Sequence, residues 1–192
     1  MCARSRWLVV FVFAVCAARA QAEDGGLAQV LQGFAERTHA HSNYVEQQFL
    51  QVLRRPLESR GELRYDAPDR LEKQTLEPRA ETLIAAGNVL TLQRGSHRHI
   101  LELADYPQIA PLILGIRATL AGDRVTLERL FQVDFAGSVA HWTLELVPRD
   151  PATLHSIARI RIEGSGDDLS RVEIGQTNGD RSLMTLRPAP TP

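Results

Sequence analysis

FLQVLRRPLESRGELRYDAPDRLEKQTLEP, residues 49–78, decides the fold. Leu57, Ser59, Gly61, Leu63 and Tyr65 fall on one side of an extended run, and Glu58, Arg60, Glu62 and Arg64 on the other. A period of two with one charged face is a half-buried antiparallel strand. Arg54-Arg55-Pro56 and Ala67-Pro68-Asp69 bracket it. Proline fixes φ and removes a donor, so both places suit turns. The stretch therefore predicts two successive hairpins that form a wall and carry no catalytic group.

Turn signals recur outward from this wall. Glu81 to Ala86 ends at Gly87-Asn88, Val89 to Gln93 ends at Gly95-Ser96, and His97 to Leu103 follows. Asn43 to Leu53 reads as a strand before the wall. Strands resume at Phe131 to Phe135, with Ala136-Gly137-Ser138 as a turn. Next come a strand with Trp142, Leu144 and Leu146 on one face, and another with Ala158, Ile160 and Ile162 on one face. Leu169–Gln176 and Leu183–Leu186 complete the set, and the tail from Pro188 to Pro192 is expected to stay out of any central strand.

Two segments have the helical period instead. Leu27, Val30, Leu31, Phe34 and Ala35 mark a first helix. Ile109, Leu112, Ile113, Ile116 and Leu120 mark a second, with Asp105 as its expected cap, Arg117 as its only charge and Gly122 after its end. Asp123 is expected to cap a further short turn. The fold class is α+β: a mainly antiparallel sheet of roughly ten strands, with one helix before it and a helical insert. So many strands curl, and two apolar helices are the natural cover for the inner face.

The chain has 192 residues and a formal net charge of -1, which gives no basic field for nucleic acid. Lys73 is the only lysine. Arg4 and Arg6 precede an apolar run, Trp7 to Ala18, of signal-peptide length, and Ala18-Arg19-Ala20 fits a cleavage rule, with Ala20-Gln21-Ala22 as the nearby alternative. Residues 1–20 are thus expected to be a removed leader and 21–187 a single domain. Both cysteines, Cys2 and Cys16, lie in the leader, so the exported chain is expected to have no disulfide. His97 and His99 share a strand face but lack the further ligands a metal needs. There is no Gly-x-Ser-x-Gly elbow and no phosphate-binding glycine loop. No enzyme, metal or cofactor is expected.

The order of elements resembles the periplasmic outer-membrane lipoprotein carriers, the LolA-like family, in a divergent branch. Phe49-Leu50-Gln51, Ser59-x-Gly61-x-Leu63-x-Tyr65-x-x-Pro68, Leu71, Pro78 and Gly87-Asn88 carry the likeness. So do Trp142-Thr143-Leu144-Glu145-Leu146-Val147-Pro148, Gly164 with Leu169, and Gly179-Asp180-Arg181-Ser182. The resemblance implies a LolA/LolB-like incomplete β-barrel with a helical lid over an apolar cavity. The cargo it implies is an acylated lipoprotein, a glycolipid or another acylated molecule. That cargo would be passed by a periplasmic monomer from an inner-membrane donor to an outer-membrane acceptor. The cavity wall is expected at Leu63, Tyr65, Leu71, Leu83, Leu90, Leu92, Trp142 and Leu144, and the lid at Leu112, Ile113, Ile116 and Leu120. The family's arginine before the strand-turn proline is matched here by Ala67, with Arg64 and Arg70 as the nearby substitutes. An envelope interaction or lipid-sensing module built on the same sheet is the alternative.

Overall fold

The computed structural model describes residues 25–189, and the expected leader lies outside them. Helix α1 spans 25–36. Eleven strands follow: β1 His39–Phe49, β2 Leu57–Asp66, β3 Arg70–Glu77, β4 Glu81–Ala86, β5 Val89–Arg94, β6 His97–Glu102, β7 Phe131–Ser138, β8 His141–Pro148, β9 Ile157–Ser165, β10 Asp168–Gln176 and β11 Arg181–Pro188. Between β6 and β7 lie a single 3-10 turn, Leu103–Asp105, and helices α2 Ala110–Leu120 and α3 Arg124–Leu130. A one-turn helix, α4 Pro151–Leu154, joins β8 to β9.

All strands form one antiparallel sheet in the order β6-β5-β4-β3-β2-β1-β11-β10-β9-β8-β7. The sheet is open, as in the LolA-like incomplete barrel. β1 and β11 pair at its centre, while β6 and β7, consecutive in sequence, hold opposite edges. Residues 103–130 must therefore pass from one edge to the other.

Local chemistry explains the ladder. β8 alternates strictly, with Trp142, Leu144, Leu146 and Pro148 buried, as a strand with one wet face should. Gly87 and Gly95 open two-residue hairpin turns with φ near +57°, a left-handed backbone conformation that residues with side chains adopt only under strain. Gly61 serves a different need. An added β-carbon would lie 1.9 Å from the Gln74 carbonyl oxygen, so β2 and β3 approach closely only because the side chain is absent.

The main core joins α1 to the C-terminal half of the sheet. Leu27, Val30, Leu31 and Phe34 are buried with Trp142, Leu144, Leu146, Ile160 and Ile162. The Phe34 and Trp142 rings meet edge-on, with centroids 5.9 Å apart. A smaller cluster, Ala85, Leu90 and Leu103, lies under Ile109 and Ile113.

Several expectations shift. β1 starts at His39 and ends at Phe49, earlier than its weak alternation suggested. β7 runs on through Gly137 to Ser138, because Gly137 still pairs with Trp142. Ala158 falls at a register shift between Gly175 and Gln176, so Ile157 takes the buried place before Ile160. The α2 cap is Ile109 without a side-chain bond, and Asp105 belongs to the preceding 3-10 turn. Asp123 does cap α3, accepting from the Thr126 amide at 3.0 Å. Pro188 ends β11 opposite Ser42, inside the centre of the sheet. Proline is tolerated there because its nitrogen faces away from β1 and lies beyond the β10–β11 ladder, which stops at Thr185, while the next amide, Ala189, donates to the His41 carbonyl at 3.0 Å.

Gly61→Ala should destabilise the protein by about 1–3 kcal/mol, the usual range for overpacking. A urea titration reads this as a lower midpoint, and an unchanged midpoint would contradict the close β2–β3 approach.

Candidate functional site

A cavity of about 260 Å³ lies between the sheet and α2, just under the roughly 300–1,000 Å³ of ordinary ligand pockets. Its walls come from both halves of the sheet. Leu63, Tyr65, Leu71 and Leu83 face it from β2, β3 and β4. Leu169, Val172, Ile174, Met184 and Leu186 face it from β10 and β11. Leu112, Ile113, Ile116 and Leu120 close it from α2. Their spacing puts three of them on one stripe, i, i+4 and i+8.

All four expected lid residues and four of the eight expected wall residues therefore line one space. The other four wall residues lie elsewhere. Trp142 and Leu144 share the inner face, but α1 already covers them, and both are at most 3% exposed in the main core. Leu90 is buried in the smaller cluster beneath Ile113. Leu92 is half-buried, one strand beyond Leu83 and opposite His99. Phase along a strand sets which side chains point inward; the positions of α1 and α2 decide which of them protein covers. The β10 and β11 wall was not anticipated, because their alternation is mixed with exposed Arg171 and Arg181.

Charged groups interrupt the apolar lining: Arg37, Arg64, Asp167 and Asp168, and the pair Glu46 and Lys73. Lys73 and Glu46 form an ion pair on the cavity wall. The Glu46 carboxylate also accepts from the Ser182 hydroxyl at 2.5 Å and from Ser59 at 3.4 Å. Burial pushes this carboxyl up, but the Lys73 charge and hydrogen bonds from Lys73, Ser182 and Gln48 together outweigh it. The net result lies below the ordinary value of 4.5. Lys73 in turn sits 5.1 Å from the centroid of the Tyr44 ring, whose hydroxyl shares a 2.7 Å hydrogen bond with Thr75. The signal was present in the sequence: Lys73 follows Leu71 by two residues and so falls on the inward phase of β3.

The helix over the cavity is tied down at its charged residue. Arg117 Nη1 donates to the Gly87 carbonyl at 2.6 Å, and Nη2 lies 3.3 Å from Asp69 Oδ2. Asp69 also accepts from the Gly87 amide at 2.9 Å. One arginine thus holds α2 to the β2–β3 and β4–β5 turns together. Neither Arg64 nor Arg70 does this. Arg64 pairs with Glu62, and Arg70 with Glu72 and Asp66. Tyr65 lies beside the same tie and donates to the Pro68 carbonyl at 3.1 Å. Burial raises its hydroxyl pKa, while the Arg117 charge offsets part of that rise.

Near the end of α1, Arg37 pairs with Asp167 at 2.7 Å and Asp168 at 3.0 Å, where all three line the cavity. His97 and His99 are exposed on the edge strand β6, and no cluster of three metal-ligating side chains occurs among the described residues.

A family model described as outer membrane lipoprotein carrier protein LolA-like matches residues 17–190. None of the curated proteins compared matches the chain. Among solved structures, a LolA superfamily protein from Nitrosomonas europaea is similar at 11% identity, with 89% of this chain and 95% of that chain covered and a TM-score of 0.44. A putative outer membrane lipoprotein-sorting protein domain from Vibrio parahaemolyticus is similar at 11% identity, covering 86% and 92%, with a TM-score of 0.43. The complex of MucA and MucB from Pseudomonas aeruginosa is similar at 12% identity with a TM-score of 0.45. That match covers 89% of this chain and 59% of the other, so the chain spans well under two thirds of it.

Two outcomes follow from this geometry. Glu46 is ionised more readily in the folded chain than in the unfolded one. Its stabilising contribution is therefore complete above 4.5 and is lost as pH falls through the lower folded value. Urea midpoints measured down that acid range should drop in the wild type, and Glu46→Gln should shrink the drop. Arg117→Ala removes both the Gly87 bond and the Asp69 ion pair and should speed amide hydrogen exchange across residues 110–120 by at least about tenfold, while β8 and β9 keep their protection.

Proposed function

This chain belongs to the LolA-like family of outer membrane lipoprotein carrier proteins, and we propose that it is a periplasmic carrier. It would shelter the acyl chain of a lipoprotein or related lipid beneath α2 and deliver it toward the outer membrane. The observation that carries this reading is the apolar cavity lined by both halves of the sheet and closed by α2.

The physical case is simple. Each methylene left in water costs about 0.8 kcal/mol, so a long acyl chain does not cross an aqueous space unaided. A cavity that accepts the chain removes this penalty without chemistry, and the protein acts as a binder and not as an enzyme. Entry of a long chain requires α2 to move outward, since the closed space is small. When cargo leaves, Leu112, Ile113, Ile116 and Leu120 close over the space and reduce it to the small cavity of the empty form. Closure competes with cargo and lowers its apparent affinity, which favours handover. The donor at the inner membrane and the acceptor at the outer membrane are transient partners of a monomer.

Uptake of a fluorescent acyl probe by detergent-free protein tests the reading, followed by transfer from donor to acceptor vesicles. Binding without transfer would favour a lipid-sensing module. Ile116→Asp should weaken uptake by more than a hundredfold, because a carboxylate in an apolar cavity costs several kcal/mol. Strand content by circular dichroism should be unchanged. Normal uptake by this variant would sink the role of α2.

A further inference from the structure

The ion pair on the cavity wall is more than acyl shelter requires. Lys73, the single lysine of the chain, stands in register between Leu63 on β2 and Leu83 on β4. All three face the cavity. A lysine serving only solubility would sit one residue away, on the outer phase. An apolar side chain at this place would extend the lining without desolvating a charge.

The donor and acceptor inventory indicates what is left over. Glu46 accepts from Lys73, Ser182 and Ser59, so its oxygens are occupied by protein donors. An ammonium has three donors. Lys73 gives one to Glu46 and directs its charge toward the Tyr44 face. No other acceptor is bonded to Nζ among the described residues. The cluster therefore offers the cavity ammonium N–H donors beside a carboxylate that three protein donors already hold. The Lys73 side chain keeps 25% of its surface accessible while Glu46 keeps 7%, so the donor is the reachable partner.

We infer that Lys73 is the recognition point for the carbonyl oxygen of an esterified or amidated acyl chain. This rests on the acyl-binding reading above and deepens it. The ligand class follows from the charges. Lys73 and Glu46 together are neutral, and a ligand carboxylate brought to Lys73 would also meet the Glu46 charge. A neutral carbonyl takes the N–H without that repulsion. A bare hydrocarbon would leave the donor without a partner in low-dielectric surroundings, which is unfavourable. The site thus selects chains carrying a carbonyl and fixes the depth at which it rests.

Dissociation constants of methyl hexadecanoate and hexadecyl methyl ether, which match in chain length, test the inference in wild type and in Glu46→Gln/Lys73→Met. The wild type should prefer the ester, and the double variant should lose about tenfold of that preference. A purely structural pair would alter the urea midpoint and leave the ester-to-ether ratio unmoved, which overturns the inference. A Lys73-dependent gain for hexadecanoate larger than for its methyl ester also overturns it, in favour of anion binding. If the double variant does not fold, the carbonyl stretch of labelled ester bound to wild type decides. A frequency lowered from its value in hydrocarbon is expected, and an unshifted one overturns the assignment. Failure to bind either ligand would remove the acyl reading itself, whereas normal ether binding with an unmoved ratio removes only the role of Lys73.

Discussion

The order of strands governs everything above it. β6 and β7 follow each other in the chain yet occupy opposite edges of one open sheet. The intervening residues 103–130 are obliged to cross the inner face, and that face is apolar, so the crossing segment must be apolar too. α2 packs toward β4 and β5 through Ile113, and α3 packs against β7 through Leu127 and Phe131. Gly115 permits the close approach, since a β-carbon there would lie 2.7 Å from the Phe131 ring. The cover over the cavity is thus a consequence of topology and not an appendage.

The two halves of the inner face are then treated differently. α1 fills the space over β8 and β9 with Phe34 and its neighbours, giving a permanent core. α2 only spans the space over β2, β3, β10 and β11, leaving a cavity. The firm core supplies stability in a domain whose described residues contain no cysteine. The cavity can therefore stay underfilled without unfolding the sheet. Arg117 concentrates the attachment of α2 at two turns, a small set of bonds compared with the core beneath α1.

Polarity inside the cavity follows the same economy. Glu46 and Lys73 lie on neighbouring inward phases of β1 and β3, reaching across Gly61 and Leu63 on β2. Removing one partner would leave a buried charge, which costs about 3–5 kcal/mol, whereas replacing both with apolar groups is often neutral. The pair thus adds charge where an apolar wall would also fold, and both its side chains line the cavity.

Local pattern made much of this legible. The period of two in residues 57–65 and 142–148, the helical stripe from Leu112 to Leu120, and the hairpin glycines at 87 and 95 each report backbone state, because neighbouring side chains alone set which face is wet. The inward phase of Leu63, Tyr65, Leu71 and Leu83 was readable for the same reason. Which inward residues meet protein and which meet empty space was not. Trp142 and Leu144 have the same pattern as Leu63, yet α1 covers them, and nothing in their own stretch encodes where α1 docks. The wall from β10 and β11, the Arg117 tie and the Glu46–Lys73 pair likewise join residues far apart in the chain. The sequence by itself determined strands, turns, helices and their apolar faces, since these depend on adjacent residues. Only the tertiary structure decided the cavity and its polar point, since these depend on strand order and helix docking across the whole fold.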